Sequence, residues 1–383
     1  MAILLGENGT VATDAMGPFS VFSSSGSFDV RTVSASRAPV ALSGGLATIP
    51  DATFEDYGSG LLPRPDIVVV PAITDPAGDG ESALRGFIDA THDAGAHIMG
   101  VCAGARVLVE TDVLRGRNAT SFWSDIDGMI SAHPETSWIR GQRWVEDGDV
   151  LTTAGVSSGI AASLHVVAER AGVDEALRIA AEVRYPHWAP DMTTSIPVNS
   201  IALSDYPYVL NAIFPWGQPR YGLGLVEGVD EIDVAAAAEL YGGAAFTARV
   251  VPVADGSEIE TRHGMTLLAT PIAEVEGLDR VVIPGATGPT SLESAVPDAP
   301  VFLPAAQARS GNGSFDAVLA DIARTDGRHV AEVAAKYIEY PVADLPRESG
   351  WPTRVVLLGV GAVLVSVAAG LVPLGFLRRK KRV

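Results

Sequence analysis

Short apolar runs alternate with stretches of helical periodicity through the first 185 residues. Strands are expected at Ala2–Leu5, Phe28–Ser34, Asp66–Pro71, His97–Val101 and Val150–Ala154. Helices are expected at Asp14–Ser24, Ser82–Ala94, Ala103–Leu114 and Ser157–Ala171. Strands that alternate with helices in this way build βαβ units and a mostly parallel sheet. From 186 to 219 the periodicity lapses: the stretch from Tyr185 to Pro219 holds six prolines and the aromatic strings YPHW and DYPY, which reads as a linker packed across a surface.

A second unit, 220–340, echoes the first as a degenerate partial repeat. TDAMGPFSVFSSSGSFDVRTVS returns as IDVAAAAELYGGAAFTARVVPV, beginning at Ile232, and PDIVVVPAITD returns as LDRVVIPGATG. No cysteine follows Gly288, so the second unit is expected to keep the scaffold without a nucleophile. A juxtamembrane stretch, 341–352, leads to an uncharged run from Val355 to Leu377, which as a helix would span about 34 Å, enough to cross a bilayer. One C-terminal transmembrane helix is therefore expected over 353–377, with membrane lipid as its partner. The basic tail 378–383 places the C-terminus in the cytoplasm of a single-pass cell-membrane protein and the folded units on the extracytoplasmic side. Met1 runs straight into a strand, so either an export signal lies upstream of the given start, the reading favoured, or the chain is tail-anchored with its folded units in the cytosol.

Composition narrows the function. With a net charge of −19 and no basic stripe before the tail, the surface would repel phosphates, and nucleic acid is excluded as a partner. One cysteine permits no intramolecular disulfide, and the seven histidines show no ligand spacing. No metal and no cofactor are expected.

That cysteine carries the candidate chemistry. Gly100-Val101-Cys102-Ala103-Gly104 lies between an expected strand and an expected helix, the setting of a nucleophile elbow with sulfur in place of oxygen. A nucleophile on so sharp a turn crowds residues two positions away on either side, and Gly100 and Gly104 leave room. A helix beginning there would turn free N–H groups toward the sulfur and favour thiolate. Asp14 stands where the first helix is expected to start, and can be read as its N-cap or as a chemical partner.

GVCAGARVLVETDVLRGRNATSFW resembles the elbow segment of the ThiJ/PfpI family, in its isonitrile hydratase-like and amidotransferase-like regulator branch. TDAMGPFSVF and TTAGVSSGIAASLHVVAERAG resemble two further segments of that branch, in the same order. The resemblance implies a flavodoxin-like three-layer α/β sandwich over residues 1–185. It also implies Cys102 as nucleophile, Asp14 as the acid that holds or shares its proton, and an oxyanion hole from the N–H groups of Ala103 and of Ala72 or Ile73.

Three positions depart from the family pattern: Phe122 replaces a histidine that would serve as general base, Ala72-Ile73 replaces Gly-Gly, and Ala161 replaces an acid. His165, His133 and His97 each have an ordinary packing or surface reading.

Two functions are open on this reading. One is a Cys-dependent hydrolase or hydratase that attacks a carbonyl or isonitrile-type carbon of a small molecule. The other is a non-catalytic ligand-binding or redox-sensing module. The repeat could form an internal pseudo-dimer in place of a homodimer.

Overall fold

The computed structural model describes residues 1–307, 313–342, 345–346, 356–361 and 363–365. In the first unit, β1 (Ala2–Leu4), β2 (Arg31–Ser34), the hairpin β3 (Val40–Ala41) and β4 (Ala47–Ile49), β5 (Ala52–Thr53), β6 (Ile67–Val70), β7 (His97–Gly100), β8 (Trp144–Asp147) and β9 (Val150–Thr153) follow in order. Seven of them form one sheet ordered β8-β9-β7-β6-β1-β2-β5. Only β8 runs antiparallel in it. The central strands are apolar on both faces: Ile67–Val70 is buried throughout, as a parallel sheet covered by helices requires.

Helix α1 (Ala12–Ser23) and the pair α2 (Val156–Ala171) and α3 (Val173–Glu182) cover one face. The helix Ser82–Asp93 covers the other, with Leu84, Phe87 and Ile88 inward. The flavodoxin-like α/β reading thus holds for this unit. The observed bounds differ from the expected ones by a few residues: the strand expected at Phe28–Ser34 begins at Arg31, and the helices expected from Asp14 and Ser157 begin at Ala12 and Val156. The expected helix Ala103–Leu114 is the exception: only Ala105–Leu108 is α-helical. Thr111 Oγ1 turns back to the Leu108 carbonyl at 2.7 Å, an alternative to continuing the helix.

The stretch 186–219 contains a helix that periodicity did not reveal, α4 (Tyr206–Ile213), with Pro207 in its first turn, where a missing N–H costs nothing. Strands β10 (Arg220–Gly224), β11 (Arg249–Ala254), the hairpin β12 (Glu258–Glu260) and β13 (Thr266–Leu268), β14 (Thr270–Pro271), β15 (Arg280–Val282) and β16 (Val301–Phe302) follow. Five of these form a parallel sheet ordered β14-β11-β10-β15-β16, the connection order of β5-β2-β1-β6-β7. Helix α5 (Glu231–Ala238), a π-helical turn Glu239–Ala244, and helices α6 (Ser314–Thr325) and α7 (Arg328–Tyr337) complete the second half.

The halves meet along matching elements. α1 lies against α5, and β4 pairs antiparallel with β13, joining the two hairpins into one four-stranded sheet. A single buried cluster runs from Met16 and Phe19 in the first half to Val234, Leu240 and Phe315 in the second. Gly44, at φ 71°, lets the backbones touch, since a Cβ there would stand 2.7 Å from the Ala238 Cβ.

The membrane expectation is overturned. Among the described residues no helix is long and apolar enough to cross a membrane. Residues 356–361 and 363–365 are helical. The remainder of 353–377 and the basic tail 378–383 lie outside the described residues. The lipid partner, the single-pass placement and the orientation rested on that helix and fall with it.

Candidate active site

Cys102 closes β7 with the backbone of a strained turn. Its φ is +56°, in the left-handed region that a non-glycine residue enters only when its surroundings hold it there. Val101 N–H donates to the Val70 carbonyl at 2.9 Å. Cys102 N–H donates to Thr153 Oγ1 at 3.1 Å. Ser121 Oγ donates to the Cys102 carbonyl at 3.4 Å. Both glycines are in tight places: a Cβ on Gly104 would stand 2.0 Å from the Val70 carbonyl oxygen, and one on Gly100 would stand 2.8 Å from Leu108 Cδ1.

Asp14 is brought to the sulfur. It lies inside the first turn of α1, fully buried, so it is not the N-cap; Val11 holds that position, and the Ala12 N–H is satisfied by Ser43 Oγ at 2.9 Å. Asp14 Oδ2 accepts from Ala72 N–H at 3.2 Å, and its carboxyl lies beside the Cys102 thiol. Asp14 Oδ1 has no partner among the described residues. Burial first, and then the Glu239 carboxyl, hold Asp14 well above the usual carboxylate range. Burial first, and then Asp14, hold the thiol well above its ordinary value, although the Ala103 N–H bonds to it.

The expected thiolate is thus not what this environment favours. Cys102 is only 5% exposed, and a four-residue helix supplies too little dipole to offset the loss of solvent. Ala103 N–H lies at the sulfur, while the Ala72 N–H is committed to Asp14.

Phe122, at the position of the expected histidine, is buried and packs edge-on to Tyr337 at 5.1 Å between ring centres. Tyr337 belongs to α7 of the second half; Tyr208 of α4 stacks on it at 4.5 Å, and Trp123 Nε1 donates to its carbonyl at 3.3 Å. Together these aromatics roof the elbow. Beside them lies a largely apolar cavity of about 120 Å³, lined in part by Trp123, Tyr208, Val209, Val333 and Tyr337, with the Asp205–Lys336 ion pair also in its wall.

The second half also contributes acids that the resemblance did not indicate. Glu239, wholly buried in the π-helical turn, accepts from Ser43 Oγ at 2.9 Å and is pushed up by burial. Glu339 follows α7 at φ +54°, its carboxylate against the Gly155 N–H, and burial raises it to about 7. The sequence signal for both was weak: an acid within an alanine-rich or a tyrosine-flanked segment.

The three histidines considered earlier have other partners. His165 stacks on Trp144 at 5.1 Å beside Glu146 and Glu169. His133 pairs with Glu135 at 3.4 Å, and His97 is buried in β7. Among the described residues two groups have metal-ligand types close together, Glu146–His165–Glu169 and Asp230–Glu231–His263. In the second, His263 Nδ1 meets Glu231 at 2.8 Å and Nε2 meets Ser24 Oγ at 3.2 Å, so both ring nitrogens are occupied. In the second half Asp233 holds the place in α5 that Asp14 holds in α1, and it is paired with Arg184 and Ser314 instead of a thiol.

A parallel α/β sheet bearing a left-handed cysteine at the strand-to-helix turn, with a buried acid on its thiol, defines a cysteine-elbow protein. The chain belongs to the DJ-1/PfpI family, which it matches over residues 1–169. Isonitrile hydratase from Pseudomonas putida is 31% identical over 176 residues, 45% of this chain and 72% of the relative. The HTH-type transcriptional regulator CdhR from Pseudomonas aeruginosa is 28% identical over 149 residues, 39% of this chain and 43% of that protein. Among solved structures, a ThiJ/PfpI family protein from Pseudomonas syringae is 30% identical, covers 50% of this chain and 76% of its own, and superposes with a TM-score of 0.43.

Proposed function

We propose that the chain is a Cys-dependent hydratase or hydrolase of a small neutral molecule, with Cys102 as nucleophile and Asp14 as its proton carrier. The observation that carries this reading is the Cys102 thiol placed beside the buried Asp14 carboxyl at a strained elbow. A carbonyl is activated by oxyanion donors, and Ala103 and Ile73 are the N–H groups we assign there, with Ala72 holding Asp14. An isonitrile is activated differently: its terminal carbon must receive both a proton and a nucleophile. A protonated thiol on a carboxyl supplies both. The proton passes through Asp14 to the carbon, the S–C bond forms, and a thioimidate results; water then adds to that carbon, the C–S bond breaks, and a formamide leaves with the thiol restored.

The 31% identity to isonitrile hydratase supports this choice of substrate class. The apolar cavity beside Trp123 and Tyr337 suits an uncharged alkyl group. Redox sensing is the weaker reading, since sensor thiols are exposed and of low pKa and this one is neither. We further propose that residues 220–340 are a degenerate copy of 1–185 and that the chain is its own pseudo-dimer, the common connection order of the two sheets supporting this.

The test is conversion of cyclohexyl isonitrile to its formamide by the full chain. Cys102→Ser is expected to abolish turnover, and Asp14→Asn to slow it by about 10²-fold or more. Unchanged turnover in Cys102→Ser would contradict the proposal.

A further inference from the structure

Hydration or hydrolysis through a cysteine adduct needs a second group, one that takes a proton from water while sulfur leaves. Asp14 is on the thiol side of the elbow, and the usual histidine is Phe122. We propose that Glu339, delivered from the second half of the chain, is the general base that activates the hydrolytic water at Cys102. This rests on the reading of Cys102 as nucleophile.

The placement of Glu339 is built into the fold. It and Arg184 are counterparts: each follows the last helix of its half, each precedes Tyr-Pro, and each is left-handed, at φ 54° and 53°. Each crosses to the other half. Arg184 pairs with Asp233 at the start of α5, while Glu339 sits at the start of α2, where its carboxylate meets the Gly155 N–H and its carbonyl accepts from Ser157 Oγ at 2.8 Å. Ser157 N–H holds the Ile338 carbonyl at 3.1 Å, fixing the same turn from the other side. The exchange places a cation on the acid of the half that lacks a cysteine, and an acid beside the half that has one.

Glu339 borders a cavity of about 20 Å³ whose polar lining also includes Thr120, Ser121, Arg140 and Asn199, with Ile126, Ile196 and Val198 closing its apolar side. That is room for about one water molecule among polar partners. Ser121 ties this cavity to the elbow through its bond to the Cys102 carbonyl, and Thr153, which accepts from the Cys102 N–H, stands two residues before the Gly155 that holds Glu339. Burial opposes the ionised form of Glu339, while the Gly155 N–H, the Arg143 guanidinium and the Asn199 side chain favour it, and Arg140 lines the same cavity. The step balances simply. Glu339 takes a proton from water, the oxygen bonds to the adduct carbon, the C–S bond breaks, and Glu339 returns its proton to the leaving sulfur.

The experiment uses the full chain with p-nitrophenyl acetate, whose acyl group reports the water step by itself. Wild type is expected to show a burst of nitrophenolate, as Cys102 is acylated, followed by slower turnover limited by water. Glu339→Gln preserves the carbonyl oxygen that meets Gly155. It should keep the burst and lose about 10²-fold in the slow phase. The wild-type slow phase should rise with pH through about 7, where Glu339 ionises, and the variant should lose that break. A variant that keeps the wild-type slow phase and its pH break overturns the assignment of Glu339 alone. A wild type without a burst, indistinguishable from Cys102→Ser, overturns the Cys102 reading and this inference with it.

Discussion

Burial governs the charges at the residue scale. Asp14, Glu239 and Glu339 all carry pKa values raised above those of an unfolded chain, with loss of solvent as the largest cause. The sign of the pH effect follows from which state binds more protons. For Glu339, the folded chain holds its proton up to about pH 7, whereas the unfolded chain releases it near 4.5. Its contribution is therefore harmless below 4.5 and destabilising above 7. A shift of that size corresponds to an upper bound of about 3 kcal/mol. Glu339→Gln should melt higher than wild type at pH 8, with the gap closing by pH 4.5; thermal melts across that range check it, and a variant that melts lower at pH 8 would contradict it. None of this was visible in the sequence, because the shift depends on chain segments more than 180 residues apart meeting at Gly155. Cys102 and its glycines were legible, since an elbow imposes local size limits. The state of the thiol was not, since the helix that was to stabilise thiolate stops at Leu108.

At the scale of elements, five of the seven strands in the main sheet of the first half followed directly from apolar runs, because a parallel strand must be apolar on both faces, while the edge strands β5 and β8 did not. The misjudged segments lack such a rule. The helix after Cys102 ends where Thr111 competes for backbone bonds, and α4 is hidden by its prolines. The elbow itself is the element most sensitive to substitution. Gly104→Ala puts a Cβ onto the Val70 carbonyl oxygen, a backbone atom of a central strand that cannot swing aside. It should cost about 3 kcal/mol or more in a urea titration, whereas alanine at Gly128, where a Cβ meets nothing within 4 Å, should cost far less. Equal costs at the two positions would mean that the turn relaxes freely.

The whole molecule explains why a chain lacking the usual histidine still surrounds its cysteine with acids. α1 packs on α5, β4 pairs with β13, and the second half supplies Glu239, Tyr337 and Glu339 around the elbow of the first. The internal echo in the sequence hinted at two similar halves, but which face each would bury, and which residues would cross, depends on the join. The central claim is that this enclosure makes Cys102 a protonated thiol shared with Asp14. The most direct measurement is the rate of Cys102 alkylation by iodoacetamide as a function of pH, in the full chain and in Asp14→Asn. The account predicts a midpoint above about 8.5, the value of a free thiol, falling when the Asp14 charge is removed. A midpoint at or below that value, or one indifferent to Asp14, would contradict it.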